Sequence, residues 1–166
     1  MAPPPPAGQY VKPGSYTDTI TVTITDTAGP TTFQFGVSAT ALSTCAISAT
    51  ALNFGTYSKA LTHTTSTVTA TCSNSTTYNV GFNAGVGSGA TVTKRKMTSP
   101  SSATLNYSIF QNSTWTQNWG NTVGTDTVAG TGNGTAQTIT AYGQMAAGQS
   151  GNPATYTDTI TATITY

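Results

Sequence analysis

The sequence predicts an all-β protein, built as an antiparallel sandwich or barrel, and three observations support this fold class. Apolar residues alternate with small polar residues in several short stretches, which is the pattern of a strand with one buried face. Clusters of Gly, Pro, Asn and Ser separate these stretches, as turns do in such folds. No apolar stripe with the helical period continues for three turns, so the pattern indicates strands throughout.

The first clear element is a predicted strand from Thr31 to Leu42. One face of this strand is small and polar, and its apolar face comprises Phe33, Phe35, Val37, Ala39 and Ala41. The sequence offers it no obvious hairpin partner. An uncharged alternating strand of this kind is either the first strand of its own domain or a strand that inserts into another protein.

A repeat links the two ends of the chain. Residues 7–25 have a near copy at residues 147–165, displaced by 140 positions (147 minus 7) without a gap. Repetition at a domain-sized interval usually indicates tandem copies of one unit. We therefore expect residues 1–30 to contain a Pro-rich extended lead, the closing strand of a preceding repeat and a linker from Asp26 to Pro30. An open alternative is that residues 16–25 fold back and fill a groove in the same chain.

The remaining strands are predicted in order along residues 44–166. The first of them begins at Cys45 and runs into a bend at Gly55. The others are residues 67–72, 77–82, 90–93, 105–110, 123–128, 137–145 and 156–165, and the strand pattern is weak at 123–128. Residues 58–66 are predicted to form a polar loop that contains His63. The basic cluster Lys94-Arg95-Lys96 is interpreted as a solvated turn.

Composition excludes several classes of function. The net charge is +1, which argues against a nucleic-acid partner, and no apolar run is long enough for a membrane span. The first residues lack the blocks of a signal peptide, so we expect a mature, trimmed or partial chain. The chain has no Glu and a single His, leaving Asp126 and His63 without partners for acid and base catalysis. We expect no enzyme, no cofactor and no metal site.

The two cysteines, Cys45 and Cys72, have two interpretations. In a reducing compartment they would be buried thiols, whereas in an oxidising compartment they would form one disulfide that closes a loop of about 28 residues. Such a disulfide contributes on the order of 3 kcal/mol. We favour the disulfide and, with it, secretion.

A set of motifs carries a family resemblance. The motifs are Leu52-Asn-Phe-Gly-Thr-Tyr57 after Cys45, Val68-Thr-Ala-Thr-Cys72, Arg95-Lys-Met97, Leu105-Asn-Tyr107, Trp119-Gly120, Gln137-Thr-Ile-Thr-Ala-Tyr-Gly143 and Tyr156-Thr-Asp-Thr-Ile-Thr-Ala-Thr-Ile164. Together they resemble the spore coat protein U domain, a family that includes the pilin subunits of archaic, Csu-type chaperone-usher pili. The resemblance runs from about Thr31 to Tyr166.

The resemblance implies an immunoglobulin-like sandwich that lacks its last strand and is completed by a donor strand from a neighbouring subunit. Residues 44–166 would form this sandwich and residues 31–43 the donor strand, with Phe33, Phe35 and Val37 as its main anchors. The cysteines would form the family's disulfide. Implied partners are identical or homologous subunits, a periplasmic chaperone and an outer-membrane usher.

The implied function is that of a secreted, structural subunit of a bacterial surface fibre used in attachment and biofilm formation. Thirty residues precede the donor strand, which suggests the second domain of a two-domain subunit or one repeat of an array. A shaft subunit and a tip subunit, and a pilus and a coat, remain open alternatives.

A rival interpretation is a tip adhesin or another surface-binding module. Trp115 and Trp119 lie in a loop rich in Asn, Gln and Thr, where exposed aromatic rings could stack on sugars or contact a surface. Packing in a core or between subunits is the competing explanation for these two residues.

Overall fold

A computed structural model describes residues 11–166, and their regular elements are all β-strands. The Pro-rich lead and residues 7–10 of the repeat lie outside the described residues. The ten strands are β1 (Gly14–Asp26), β2 (Gly29–Ala41), β3 (Cys45–Ala49), β4 (Thr62–Cys72), β5 (Thr77–Phe82), β6 (Arg95–Thr98), β7 (Thr104–Phe110), β8 (Val128–Thr131), β9 (Ala136–Met145) and β10 (Ala162–Thr165). In this part of the chain no helix is long and apolar enough to cross a membrane.

Eight of the strands form a two-layer sandwich. A five-stranded antiparallel sheet has the order β3-β4-β9-β7-β6, and a three-stranded antiparallel sheet has the order β10-β5-β8. The two sheets share one hydrophobic core, which includes Val68, Val80, Ile109, Trp119 and Ala141. Alternation places Val68, Val80, Ile109 and Ala141 on the inner faces of their strands, and Trp119 enters the core from the connection between β7 and β8. The predicted all-β, antiparallel fold is confirmed.

The other two strands form a separate hairpin. β1 and β2 pair antiparallel along their whole length, and the turn residues Thr27 and Ala28 connect them. All but two of the residues in the hairpin strands and their turn are exposed, and neither strand pairs with the sandwich. An isolated two-stranded hairpin has little stability of its own in water. The predicted linker from Asp26 to Pro30 is therefore the tight turn of this hairpin, and β1 is the partner that the sequence did not reveal for β2.

Three predictions of where loops and strands lie are wrong. His63 lies on β4 instead of in a loop, because residues 62–66 pair with β9. The predicted strand at 90–93 is mostly turn, and the strand begins at Arg95. The weak strand at 123–128 is displaced to β8.

Arg95 explains why the basic cluster is not a solvated turn. Its side chain is fully buried and donates hydrogen bonds to four backbone carbonyl oxygens. The acceptors belong to Phe82, Asn83, Val92 and Trp119, at distances of 2.7 to 3.1 Å. A guanidinium that donates to several backbone carbonyls can be buried without an ion pair, and here each of its three nitrogens has at least one partner.

Candidate functional site

The candidate site is an open groove along one side of the sandwich. β3 is an edge of the five-stranded sheet and β10 is an edge of the three-stranded sheet. Among residues 11–166 neither strand has a second partner. The groove walls are residues 49–57, which continue β3, and residues 151–162, which lead into β10. A closed sandwich would have one more strand between these walls.

The floor of the groove is largely apolar. Two adjoining cavities of about 380 and 750 Å³ lie along it. Their apolar lining includes Leu52, Phe54, Met97, Ile109 and Ile160. Gly143 lets this floor form, because a Cβ there would lie 2.8 Å from the Leu52 side chain and 3.0 Å from that of Phe54. Open apolar floor beside two unpaired strand edges is a surface that favours strand association.

One charged residue lies in the groove wall. Asp158 accepts a 2.7 Å hydrogen bond from the Tyr107 hydroxyl and a 2.8 Å hydrogen bond from the Val86 amide. Burial, and then the hydrogen bond to Asp158, raise the pKa of Tyr107 well above its ordinary value. Burial also lowers the pKa of Arg95 to about 10, while the charges of Tyr107, Asp158 and Asp126 oppose this change. The groove wall is thus joined to the core by a hydrogen bond between Tyr107 and Asp158, near a buried cation.

The disulfide fixes the opposite wall. Cys45 and Cys72 are bonded, as predicted, and they are directly opposed residues of β3 and β4. The bond ties the beginning of the edge strand β3 to the neighbouring strand. One wall of the groove therefore has a covalent attachment to the sheet.

The predicted anchors lie on one face of β2, outside the groove of their own chain. Phe33, Phe35 and Val37 are 66%, 44% and 46% exposed. Directly opposite residues of an antiparallel pair point to the same face. This face therefore also includes Ile20 and Val22 of β1, and it extends through Ala39 and Ala41 of β2. The described residues thus contain both an exposed apolar strand and an unfilled apolar groove.

Trp115 and Trp119, the two candidate surface-binding residues, lie in different environments. Trp119 is fully buried, and its indole nitrogen donates a 2.8 Å hydrogen bond to the Val80 carbonyl. It cannot contact a surface, so the rival surface-binding interpretation is wrong for this residue and packing in the core, the competing explanation, applies. Trp115 is half-buried and stacks on His63 with ring centroids 3.8 Å apart. His63 in turn accepts a 2.9 Å hydrogen bond from the Gln144 amide, so the two rings form a separate small cluster.

Sequence reasoning missed two residues of this region. The run Lys94-Arg95-Lys96 predicts a solvated turn, and no local signal in the sequence distinguishes the buried Arg95 from its neighbours. Asp158 repeats Asp18 of the other repeat copy, which favours a turn or strand-edge role, whereas in the structure it contacts Tyr107. No group of three or more His, Cys, Asp or Glu residues in the described part of the chain could hold a metal ion.

Comparisons with known proteins agree with this architecture. The Spore Coat Protein U domain matches residues 31–163, which is most of the chain. A chain in a crystal structure of the CsuC-CsuE chaperone-tip adhesion subunit pre-assembly complex, from archaic chaperone-usher Csu pili of Acinetobacter baumannii, has a similar fold. Its TM-score is 0.65 at 24% identity, over 97% of this chain and 62% of that chain.

A second solved structure is more distant. It is a chaperone-tip adhesin complex of CFA/I fimbriae, with a TM-score of 0.45 at 13% identity, over 92% of this chain and 53% of that chain. The present chain thus spans less than two thirds of either protein. A search among curated proteins found no match. With the domain match covering residues 31–163, the chain belongs to the Spore Coat Protein U domain family.

Proposed function

We propose that the protein is a non-catalytic structural subunit of an extracellular fibre, and that its subunits assemble by strand donation. β2 of one subunit would enter the open groove of another and complete its sandwich. The observation that supports this proposal is the coexistence of a groove between two unpaired edges and an exposed strand with one apolar face. Within the described residues, the edges of the groove have no second pairing partner and the apolar face of β2 is exposed.

The groove and the strand are chemically complementary. A strand placed between the two groove walls, residues 49–57 and residues 151–162, would form ladder hydrogen bonds along both walls, while its apolar face would cover the floor. If Phe33, Phe35 and Val37 each bury most of their side chain, each contributes roughly 1.5 to 3 kcal/mol. Three anchors then contribute about 5 to 9 kcal/mol before ordering costs are subtracted.

The geometry of such a contact favours a filament. The donating strand and the accepting groove are different surfaces, so each subunit can donate to one neighbour and accept from another. A head-to-tail contact that does not close gives an open polymer. An extracellular polymer also fits the low charge of the chain and its disulfide.

The proposed partners during assembly are a periplasmic chaperone and an outer-membrane usher. The support for a chaperone is that a chain of similar fold was solved in a chaperone-subunit complex. An empty groove with an apolar floor would associate with wrong partners, so a protein that covers it before assembly is physically reasonable. We propose attachment and biofilm formation as the role of the fibre.

The test is negative-stain electron microscopy of the secreted protein and of a variant with Phe33→Asp, Phe35→Asp and Val37→Asp. The wild type should form fibres, and this variant should remain as soluble or chaperone-bound subunits. The matched control carries Thr32→Asp, Gln34→Asp and Ser38→Asp, which add the same charge to the opposite face of β2. The control should retain fibres. Equal, monodisperse preparations of wild type and anchor variant would reject strand donation.

A further inference from the structure

We propose a specific register for the accepting edge, an inference that rests on the proposed function. β10 and the residues before it bind β2 of a second copy of the chain in the same antiparallel register that β1 adopts with β2 in the hairpin. In that register Phe35 of the second copy lies opposite Ile160, and Phe33 of the second copy lies opposite Ala162. The occupant is identified by the hairpin, which already shows β2 bound to a near copy of the closing strand.

The two copies of the repeat share local geometry as well as sequence. The Tyr16 hydroxyl donates to the Lys12 carbonyl at 2.6 Å, and the Tyr156 hydroxyl donates to the Asn152 carbonyl at 2.9 Å. Asp18 accepts a 2.8 Å hydrogen bond from the following amide, and so does Asp158. The backbone of β1 is therefore a valid template for the backbone of the closing segment, residues 154–165.

The backbone groups at the free edge of the closing segment belong to the residues that this register requires. The Thr161 carbonyl accepts a hydrogen bond from the Asn83 amide at 3.2 Å, and Thr157 exchanges two backbone hydrogen bonds with Thr98. The backbone N–H and C=O groups of these odd-numbered residues therefore point towards neighbouring segments of the same sandwich, away from the open edge. Because successive residues of a strand point these groups to opposite sides, the even-numbered residues present theirs to the open edge.

The same even positions of β1 bind β2. The two-residue turn closes on Asp26 and Gly29, and such a turn closes on a hydrogen-bonded pair. Every second residue towards the start of β1, at even positions, is then hydrogen-bonded to β2. A displacement of 140 keeps even positions even, so the edge that binds β2 in the hairpin is the edge that is open in the groove.

The side chains also agree with this register. Even-numbered residues of β10 and of the segment before it are half-buried, because they face the groove and the core, and odd-numbered residues are exposed. The hairpin register places the odd-numbered anchors of β2 opposite even positions. Phe33, Phe35 and Val37 of the second copy would therefore point inward to the apolar floor. A shift by one residue would point all of them to solvent.

One consequence concerns the driving force. β2 would leave β1 and bind a nearly identical edge, so the ladder with the closing segment replaces a ladder of the same kind. Two further gains are available only in the groove. They are the burial of the anchors against the apolar floor and a second ladder with residues 49–57, which continue β3 and form the opposite wall.

Cysteine cross-linking tests the register in the full chain, whose native cysteines are already paired. Thr163 and Thr161 lie on the outer face of the closing segment. The proposed register places Thr32 and Gln34 of the second copy directly opposite them. T163C/T32C and T161C/Q34C should form intermolecular disulfides in mild oxidant, seen as a covalent ladder on a non-reducing gel. The exchanged pairs T163C/Q34C and T161C/T32C are matched controls, because diagonal neighbours are too far apart for a disulfide.

Each outcome decides a different question. Ladders in both in-register variants and none in the exchanged variants support the register. Fibres whose ladders appear only in the exchanged variants overturn the register and leave strand donation intact. Fibres with no ladder in any variant overturn the binding of β2 to this edge. A cross-link confined to monomers overturns the second copy as occupant, and the absence of fibres in wild type overturns the proposed function and the register together.

Discussion

At the scale of single residues, the hydrogen bond from Tyr107 to Asp158 joins the groove wall to the core. Tyr107 is 5% exposed, and its pKa is raised by burial first and by the hydrogen bond second. A tyrosine whose pKa is higher in the folded state contributes stability that is fully present below its unfolded pKa, near 10. That contribution is lost as the pH rises above this value, because unfolding then releases a proton.

Tyr107→Phe should make this dependence visible. Near pH 8 the variant should be less stable by about 1 to 3 kcal/mol, since Asp158 loses a hydrogen-bond donor. By pH 11 the wild type has lost about 1.4 kcal/mol through this group, so the difference between the two proteins should shrink by that amount. Urea unfolding at both pH values measures it, and Tyr166→Phe at an exposed position is the control. A difference that does not change with pH would contradict the assignment.

Residue patterns predicted some of these positions and not others. Alternation identified the core residues of β4, β5 and β7, because one face of each strand is buried. The burial of Trp119 and Arg95 depends on carbonyls supplied by Val80, Phe82 and Asn83, which are distant in sequence. Local composition around either residue therefore indicated a polar loop or turn.

At the scale of elements, β2 pairs with β1 along its whole length, so the proposed assembly requires this hairpin to open. Thr23 and Thr32 are directly opposed, on the face away from the anchors. The double variant T23C/T32C should form an intramolecular disulfide that holds β2 on β1, so fibres should disappear in oxidant and return in mild reductant. Electron microscopy is the readout, with wild type and single T23C under the same conditions as controls. Fibres from the fully oxidised double variant would show that β2 need not leave β1.

The hairpin also shows why the element prediction was incomplete. Both of its strands have clear alternation, so their existence followed from the sequence. Their pairing did not, because Thr27-Ala28 lacks the Asn-Gly or Asp-Gly signature of a tight hairpin turn. The early part of β4, which contains His63, is rich in Thr and carries no apolar alternation, so its sequence predicts a loop.

At the scale of the whole molecule, the proposed function predicts that a strand bound in the groove stabilises the sandwich. A ligand that binds only the folded state stabilises it by mass action. A peptide with the sequence of residues 29–41 should therefore raise the melting temperature. It should add about 2.7 kcal/mol to the free energy of unfolding at a concentration of 100 times its Kd. The same peptide with Asp at positions 33, 35 and 37 is the control, and equal effects of the two peptides would contradict specific binding.

The short connection between β2 and β3 has a mechanical consequence. Only residues 42–44 separate β2 from the sandwich that follows it. Tension along a proposed fibre would therefore pull β2 nearly along its own axis, and the ladder bonds would be loaded in shear. All of them would have to break together instead of opening one after another, as they would if a strand were peeled from its end. Such a joint resists steady pulling even though each of its hydrogen bonds is weak.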